Sequence, residues 1–130
     1  MYRYPKDEDE ISAAFYQNGY VEGMTTDLPD DATLQTLIKT KFVGTKKDLS
    51  EKIEIVTRLS KGWRLLDYGC SWGYGVFQFN TAGFDAMGFE VGRSRTLFGR
   101  EHLGVKIVEN GEDLALLPPY SFDVIFANHV

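Results

Sequence analysis

The sequence is poor in cysteine: Cys70 is the only one among 130 residues. No disulfide can therefore close within the chain, a composition that suits a reducing compartment. Positive charge is also scarce, with 14 Lys and Arg against 19 Asp and Glu and a formal net charge of -5. A non-specific grip on phosphate backbones needs clustered cations that release counterions, so nucleic acid is a poor partner for this chain. No apolar run approaches the roughly 18 residues that a membrane-spanning helix requires. The stretch from Met1 to Glu10 alternates tyrosine with charge and lacks the apolar centre of a secretion signal. Internal repeats and low-complexity tracts are missing as well. The expectation is a soluble, cytoplasmic protein.

What is present is apolar and aromatic material, 43% hydrophobic and 14% aromatic, enough for one modest core and a prior of one domain. Asp7 to Glu10 form an acidic block of the kind that is usually a solvated tail. Phe15, Tyr16 and Tyr20 lie in a short aromatic stretch compatible with a helix. Asp30 or Asp31 can cap a helix from about Ala32 to Phe42, with Leu34, Leu37, Ile38 and Phe42 on one face and Gly44 just beyond it. A second helix fits Lys47 to Ser60, with Leu49, Ile53, Val56 and Leu59 at helical spacing and Gly62 closing it. After Gly62 the texture changes to short apolar runs separated by glycine-ended helical segments. Strands fit Trp63 to Tyr68, Ala86 to Val91, Val105 to Glu109 and Phe122 to Asn128; helices fit Trp72 to Ala82, closed by Gly83, and Arg93 to Leu103, closed by Gly104. Strands this apolar imply a parallel sheet covered on both faces, with right-handed crossovers.

In such an α/β sheet, ligands lie beyond the carboxyl ends of the strands. The run Leu65-Leu66-Asp67-Tyr68-Gly69-Cys70-Ser71-Trp72-Gly73-Tyr74 is a buried strand, an acid, a glycine-bearing turn and a helix start. Gly69 lets the backbone approach a ligand, and Gly73 lets the first helical turn pack closely, with free amides suited to a carboxylate. Glu90, closing Met87-Gly88-Phe89-Glu90, puts a carboxylate at the second strand tip, where it can accept from two vicinal ribose hydroxyls. Beyond the third strand, Asn110-Gly111-Glu112 offers a polar side chain and exposed amides able to read the edge of an adenine. Polar groups return at the fourth strand tip as Asn128 and His129.

The ordered set resembles the class I S-adenosylmethionine-dependent methyltransferases. Leu66-Asp67-Tyr68-Gly69-Cys70-Ser71-Trp72-Gly73 is similar to their first motif, Glu90 is the acid at the second strand tip, and Ser121-Phe122-Asp123-Val124-Ile125 is similar to their fourth-strand motif. The resemblance covers about residues 62 to 130. It implies an α/β fold with a Rossmann-like parallel sheet, of which strands 1 to 4 out of seven are present, preceded by amino-terminal helices. It divides the chain into a helical or lid segment, 1–61, and a partial cofactor-binding domain, 62–130. It implies S-adenosyl-L-methionine as cofactor and a small-molecule or sugar acceptor. Asp67 would meet the methionine ammonium directly or through water, while Gly69, Cys70, Ser71 and Gly73 form the turn along the methionine portion. Glu90 would hold the ribose, Val91 would pack on the adenine, and Asn110, Gly111 and Glu112 would meet its edge. Asn128 and His129 would face the transferred methyl, which makes His129 a weak catalytic candidate. Ser71 stands where the family often has glycine. Either it takes a left-handed backbone at roughly 1 to 2 kcal/mol, or it is extended and caps the helix starting at Trp72; the cap is the favoured reading. Asn110, where an aspartate is common, keeps hydrogen bonding but loses a charge.

Plainer roles compete at each position. Asp67 could cap a turn, although an acid ending an apolar strand is costly without a partner. Glu90 could be merely solvated, and Gly69 and Gly73 could serve only the turn. Cys70 has no identifiable partner base and reads as inert packing. His102 reads as a solvated cation at a helix end, and for His129 a satisfied strand end is favoured over a substrate-side base. Tyr16, Gln17 and Tyr20 could close over the cofactor or simply pack.

Methyl transfer from a sulfonium needs positioning and desolvation rather than a metal or a covalent enzyme intermediate, and attack geometry can supply on the order of 7 to 11 kcal/mol. A fourth strand as apolar as Phe122 to Ala127 would be left as a bare edge. The expectation is that the natural protein continues beyond Val130 and that this portion alone is inactive. The dinucleotide fingerprint G-x-G-x-x-G of NAD-dependent oxidoreductases fails in both frames, meeting Ser71 and Tyr74 from Gly69 and Gln78 from Gly73. A cofactor-binding module without turnover remains the other alternative.

Overall fold

The computed structural model describes residues 28–128; the aromatic stretch with Tyr16, Gln17 and Tyr20, and His129, lie outside the described residues. Helix α1 (Asp31–Thr40) starts where the Asp30 carboxylate accepts from the Thr33 amide at 2.7 Å, which satisfies one of the free amides of the first turn. It ends at Thr40 with Lys41 as its C-cap, two residues before the expected end at about Phe42. Lys41 and Phe42 both adopt left-handed backbone, with φ of 55° and 67°. That reversal turns the Phe42 ring inward against Trp72, Tyr74 and Phe77, and burial of a large aromatic there offsets the conformational cost. Helix α2 (Ser50–Leu59) follows, its Ile53 and Val56 packed against the core of the sheet.

The βα alternation then runs β1 (Arg64–Tyr68), α3 (Tyr74–Thr81), β2 (Asp85–Phe89), α4 (Arg93–Phe98) with a π-helical turn over Gly99–Leu103, β3 (Ile107–Val108), α5 (Gly111–Ala115) and β4 (Val124–Phe126). All pairings are parallel, in the order β3-β2-β1-β4. The α/β, Rossmann-like sheet expected from the sequence is the observed one. Gly83 and Gly104 close their helical segments in left-handed backbone, as their positions imply. The expected strands are found but shorter, because sheet pairing stops where the chain turns toward the next helix. The five-residue helix α5 was not foreseen; Asn110 caps it by accepting from the Asp113 amide at 2.8 Å.

Side chains alternate across the sheet. Leu65, Ala86 and Ile107 face α3, where Val76, Phe79 and Phe84 complete the main core, with Val124 and Phe126 packed against it. A second cluster joins Leu34 and Phe42 to Trp72. The opposite face is covered less evenly than the apolar strands imply: Leu66 is buried, yet Ile125, its register partner in β4, is 67% exposed. Among the described residues β4 has no second neighbour, so its outer backbone forms a sheet edge.

Close backbone approach fixes how α4 meets the turn before α3. A Cβ on Gly99 would lie 2.5 Å from the Trp72 carbonyl oxygen and 2.7 Å from Ile107. Gly99→Ala is expected to lower stability by about 1 to 3 kcal/mol, read as a drop in Tm. Gly111→Ala, where an added Cβ meets nothing within 4 Å, should change it far less.

Candidate functional site

The carboxyl ends of the four parallel strands form one crest. Asp67 is register-paired with Gly88 and with Phe126, so it sits between β2 and β4 near the top of the central strand. Tyr68 pairs with Phe89, which puts Glu90 beside Gly69. The two acids thus share one end of the sheet on adjacent strands, two register steps apart. At about 3.3 Å per step and about 4.8 Å between strands, their separation is roughly 8 Å.

The turn from β1 to α3 is held by β2. The amides of Gly69 and Cys70 both donate to the Phe89 carbonyl, at 2.8 and 3.0 Å, and the Ser71 amide donates to a Glu90 carboxylate oxygen at 2.8 Å. The other Glu90 oxygen accepts from the Gly92 amide at 2.9 Å. To present these amides inward the turn takes left-handed backbone at Gly69, Ser71 and Gly73, with φ of 77°, 55° and 88°. The favoured expectation for Ser71 is therefore wrong: it is neither extended nor the cap. Gly73 occupies the N-cap position of α3, and no side chain caps that helix. Aiming the Ser71 amide at Glu90 is what requires the reversed backbone.

Asp67 is 4% exposed, and no donor among the described residues is hydrogen-bonded to it. Burial, with a smaller contribution from the Glu90 charge, pushes its carboxyl up to about 7. Gly75 makes room for it: an added Cβ there would lie 2.5 Å from the Asp67 Oδ2. Cys70 is buried against Gly88, whose missing Cβ would fall 2.3 Å from the Cys70 Sγ. Burial first, then the nearby acids, drives its thiol far above the ordinary range, so it is an inert packing group at neutral pH.

Asp67, Gly69, Cys70 and Asn128 line one narrow cleft together with Leu49, Tyr74, Gly75 and Phe126. Lys52 of α2 donates to the Asn128 Oδ1 at its rim. Glu90 stands behind the turn with Val91 following it, half-buried. Asn110, Gly111 and Glu112 stand at the tip of β3, two strands from Asp67, and the Asn110 side chain also donates from Nδ2 to Asp113 at 3.0 Å. Hence the acids and the glycine turn come together, while the β3 tip stands apart at the far end of the crest. His102 is exposed, its ring 4.5 Å from that of Phe98.

The rim of the cleft was not read from sequence. Gln78, buried on α3, accepts from the Leu49 amide at 2.9 Å and donates to the Lys47 carbonyl at 2.8 Å, fastening the start of α2 to α3. A polar residue between Phe77 and Phe79 was the available signal. Leu49 and Lys52 carried none, since a helical apolar stripe and an exposed lysine are ordinary features.

Left-handed strain at Ser71 gives a stability prediction. Relief of about 1 to 2 kcal/mol, less the about 0.5 to 1 kcal/mol entropic disadvantage of glycine, leaves Ser71→Gly more stable by about 0.5 to 1 kcal/mol; chemical denaturation should show the gain, and Ser71→Val a loss. For Asp67 the folded carboxyl, at about 7, lies above its ordinary value of 3.8, so folding takes up a proton between those values. Stability from this group is complete below the lower value and declines as pH rises through about 7. Asp67→Asn, neutral throughout, should gain Tm relative to wild type by more at about pH 8 than at about pH 5; equal offsets would contradict the assignment.

No family model matches the sequence, and no curated protein matches it. Among solved structures the chain is similar to magnesium protoporphyrin IX methyltransferase (ChlM) from Synechocystis PCC 6803, solved with bound SAM, at 14% identity and a TM-score of 0.55. The alignment covers 98% of this chain and 64% of that one, so the chain spans less than two thirds of that neighbour's length. The likeness is one of fold: four parallel strands in the 3-2-1-4 order with helices between them, a Rossmann-like arrangement.

Proposed function

We propose that the chain binds S-adenosyl-L-methionine across the tips of β1, β2 and β3 and is the cofactor-binding portion of a methyltransferase, with 1–61 as its amino-terminal segment and 62–130 as the partial cofactor domain. The observation that carries this reading is Asp67. A buried carboxyl without a donor is costly in any fold, and here it faces a cleft at the strand ends, where a ligand's ammonium would supply the missing partner. Glu90 supports it as the second acid on the same crest. Two of its roughly four acceptor sites are taken by the Ser71 and Gly92 amides, which leaves acceptor capacity for ribose hydroxyls. The β3 tip, with Asn110 to Glu112, then lies along the line on which the adenine would fall. That the structurally similar methyltransferase was solved with SAM agrees with the reading.

Bound S-adenosyl-L-methionine supplies an activated methyl on a sulfonium. The chain's own contribution is to orient and to exclude water: Asp67 fixes the amino-acid end, the 69–73 turn limits its depth, and Asn128 borders the side from which an acceptor approaches. His129 would lie next to Asn128 in the chain, and a base is required only for an acceptor that must lose a proton. The acceptor class that fits the acidic net charge and narrow cleft is a small molecule or sugar.

Calorimetric titration of the chain with S-adenosylhomocysteine tests this. Binding is expected, weakened about ten-fold or more in Asp67→Ala and Glu90→Ala, the scale for a lost charged hydrogen bond, and little changed in Cys70→Ala. No binding, or an equal response in all three variants, would refute the site, and preference for NADH would move the chain to the oxidoreductases.

A further inference from the structure

The cleft that holds Asp67 has its opposite charge at the rim. Asn128 follows β4 by two residues beyond Phe126, the register partner of Asp67, so it stands above the acid along the strand direction. Lys52, in the first turns of α2, places its ammonium on the Asn128 Oδ1. An ammonium has three donors, and this contact uses one. Among the described residues no carboxylate pairs with Lys52, unlike Arg58, Arg64, Arg93 and Arg100, each of which meets an acid. Lys47, the other cation nearby, lies 4.6 Å from the centre of the Tyr74 ring, which already engages its charge. The ten-residue helix α2 also begins at this rim, where its N-cap Leu49 lines the cleft.

An unpartnered acid on the floor and a cation with spare donors on the rim complement a zwitterion, whose ammonium and carboxylate are joined through one carbon. Resting on the cofactor reading above, we infer that Lys52 receives the carboxylate of the ligand's α-amino-acid head while Asp67 receives its ammonium. Two charge-assisted hydrogen bonds of about 2.8 Å each plus the width of the head group would bridge floor and rim. Asn128 is then a positioning residue: its amide oxygen holds the lysine over the cleft.

The test separates carboxylate recognition from a structural tie between α2 and β4. S-adenosylhomocysteine and its decarboxylated analogue, which keeps the ammonium, are titrated into wild type, Lys52→Ala and Lys52→Arg. Lys52→Ala should lose about ten-fold in affinity for S-adenosylhomocysteine and almost none for the analogue, and Lys52→Arg should recover most of the loss. Equal weakening for both ligands, or no weakening for either, overturns the role of Lys52 while leaving the cofactor reading intact. Failure of the wild-type chain to bind either ligand overturns both. Because Lys52 is exposed, unchanged melting of the variants should accompany the expected result.

Discussion

The site depends on one carboxylate. Glu90 accepts the amides of Ser71 and Gly92, one from the turn after β1 and one from its own strand's exit, and so joins the two central strand tips. Without that acceptor the Ser71 amide would point into a buried space with no partner, and the reversed backbone at 71 would lose its compensation. The consequences run outward. The turn's geometry sets where α3 begins, the start of α3 places Gly75 against Asp67, and Gly75 leaves the acid its room. A side chain that looks like a ligand contact is thus also a structural fastener, and the two uses are compatible because a carboxylate has more acceptor sites than two amides fill.

Electrostatics at the crest follow from the same arrangement. Glu90 accepts from two fixed amides, whereas Asp67 accepts from no donor among the described residues, and burial, with the Glu90 charge second, raises its carboxyl to about 7. Two acids of like type, on adjacent strands, thus differ in what donates to each. That division gives the crest direction: an acid partly engaged by amides toward β2 and one without a donor toward the cleft between β1 and β4.

Much of this was legible in the sequence. Alternation of glycine-ended helical segments with short apolar runs gave the parallel sheet, and the acid-glycine-glycine run gave the β1 turn, because these depend on local periodicity and on residues with narrow backbone preferences. Asp67 and Glu90 were identifiable for a similar reason, as acids where an apolar strand ends. The rest depended on contacts distant in sequence. Ser71 was misread because its conformation is decided by Glu90, not by its own capping preference. The early end of α1 at Thr40 is decided by the room for Phe42 beside Trp72. Helix α5 is short enough for one cap at Asn110 to create it. The rim formed by Leu49 and Lys52 is visible only after folding sets α2 against the strand tips.

Gln78 carries a mechanical implication. With one side chain it grips the backbone on both sides of Asp48 and, through Tyr74, its own helix. The wall bearing Lys47 and Leu49 is therefore geared to α3, and α3 begins at the turn that carries the acids' amide partners. A displacement of that helix would carry the Leu49 and Tyr74 sides of the cleft together, so those two sides behave as one jaw facing Phe126 and Asn128 on the β4 side.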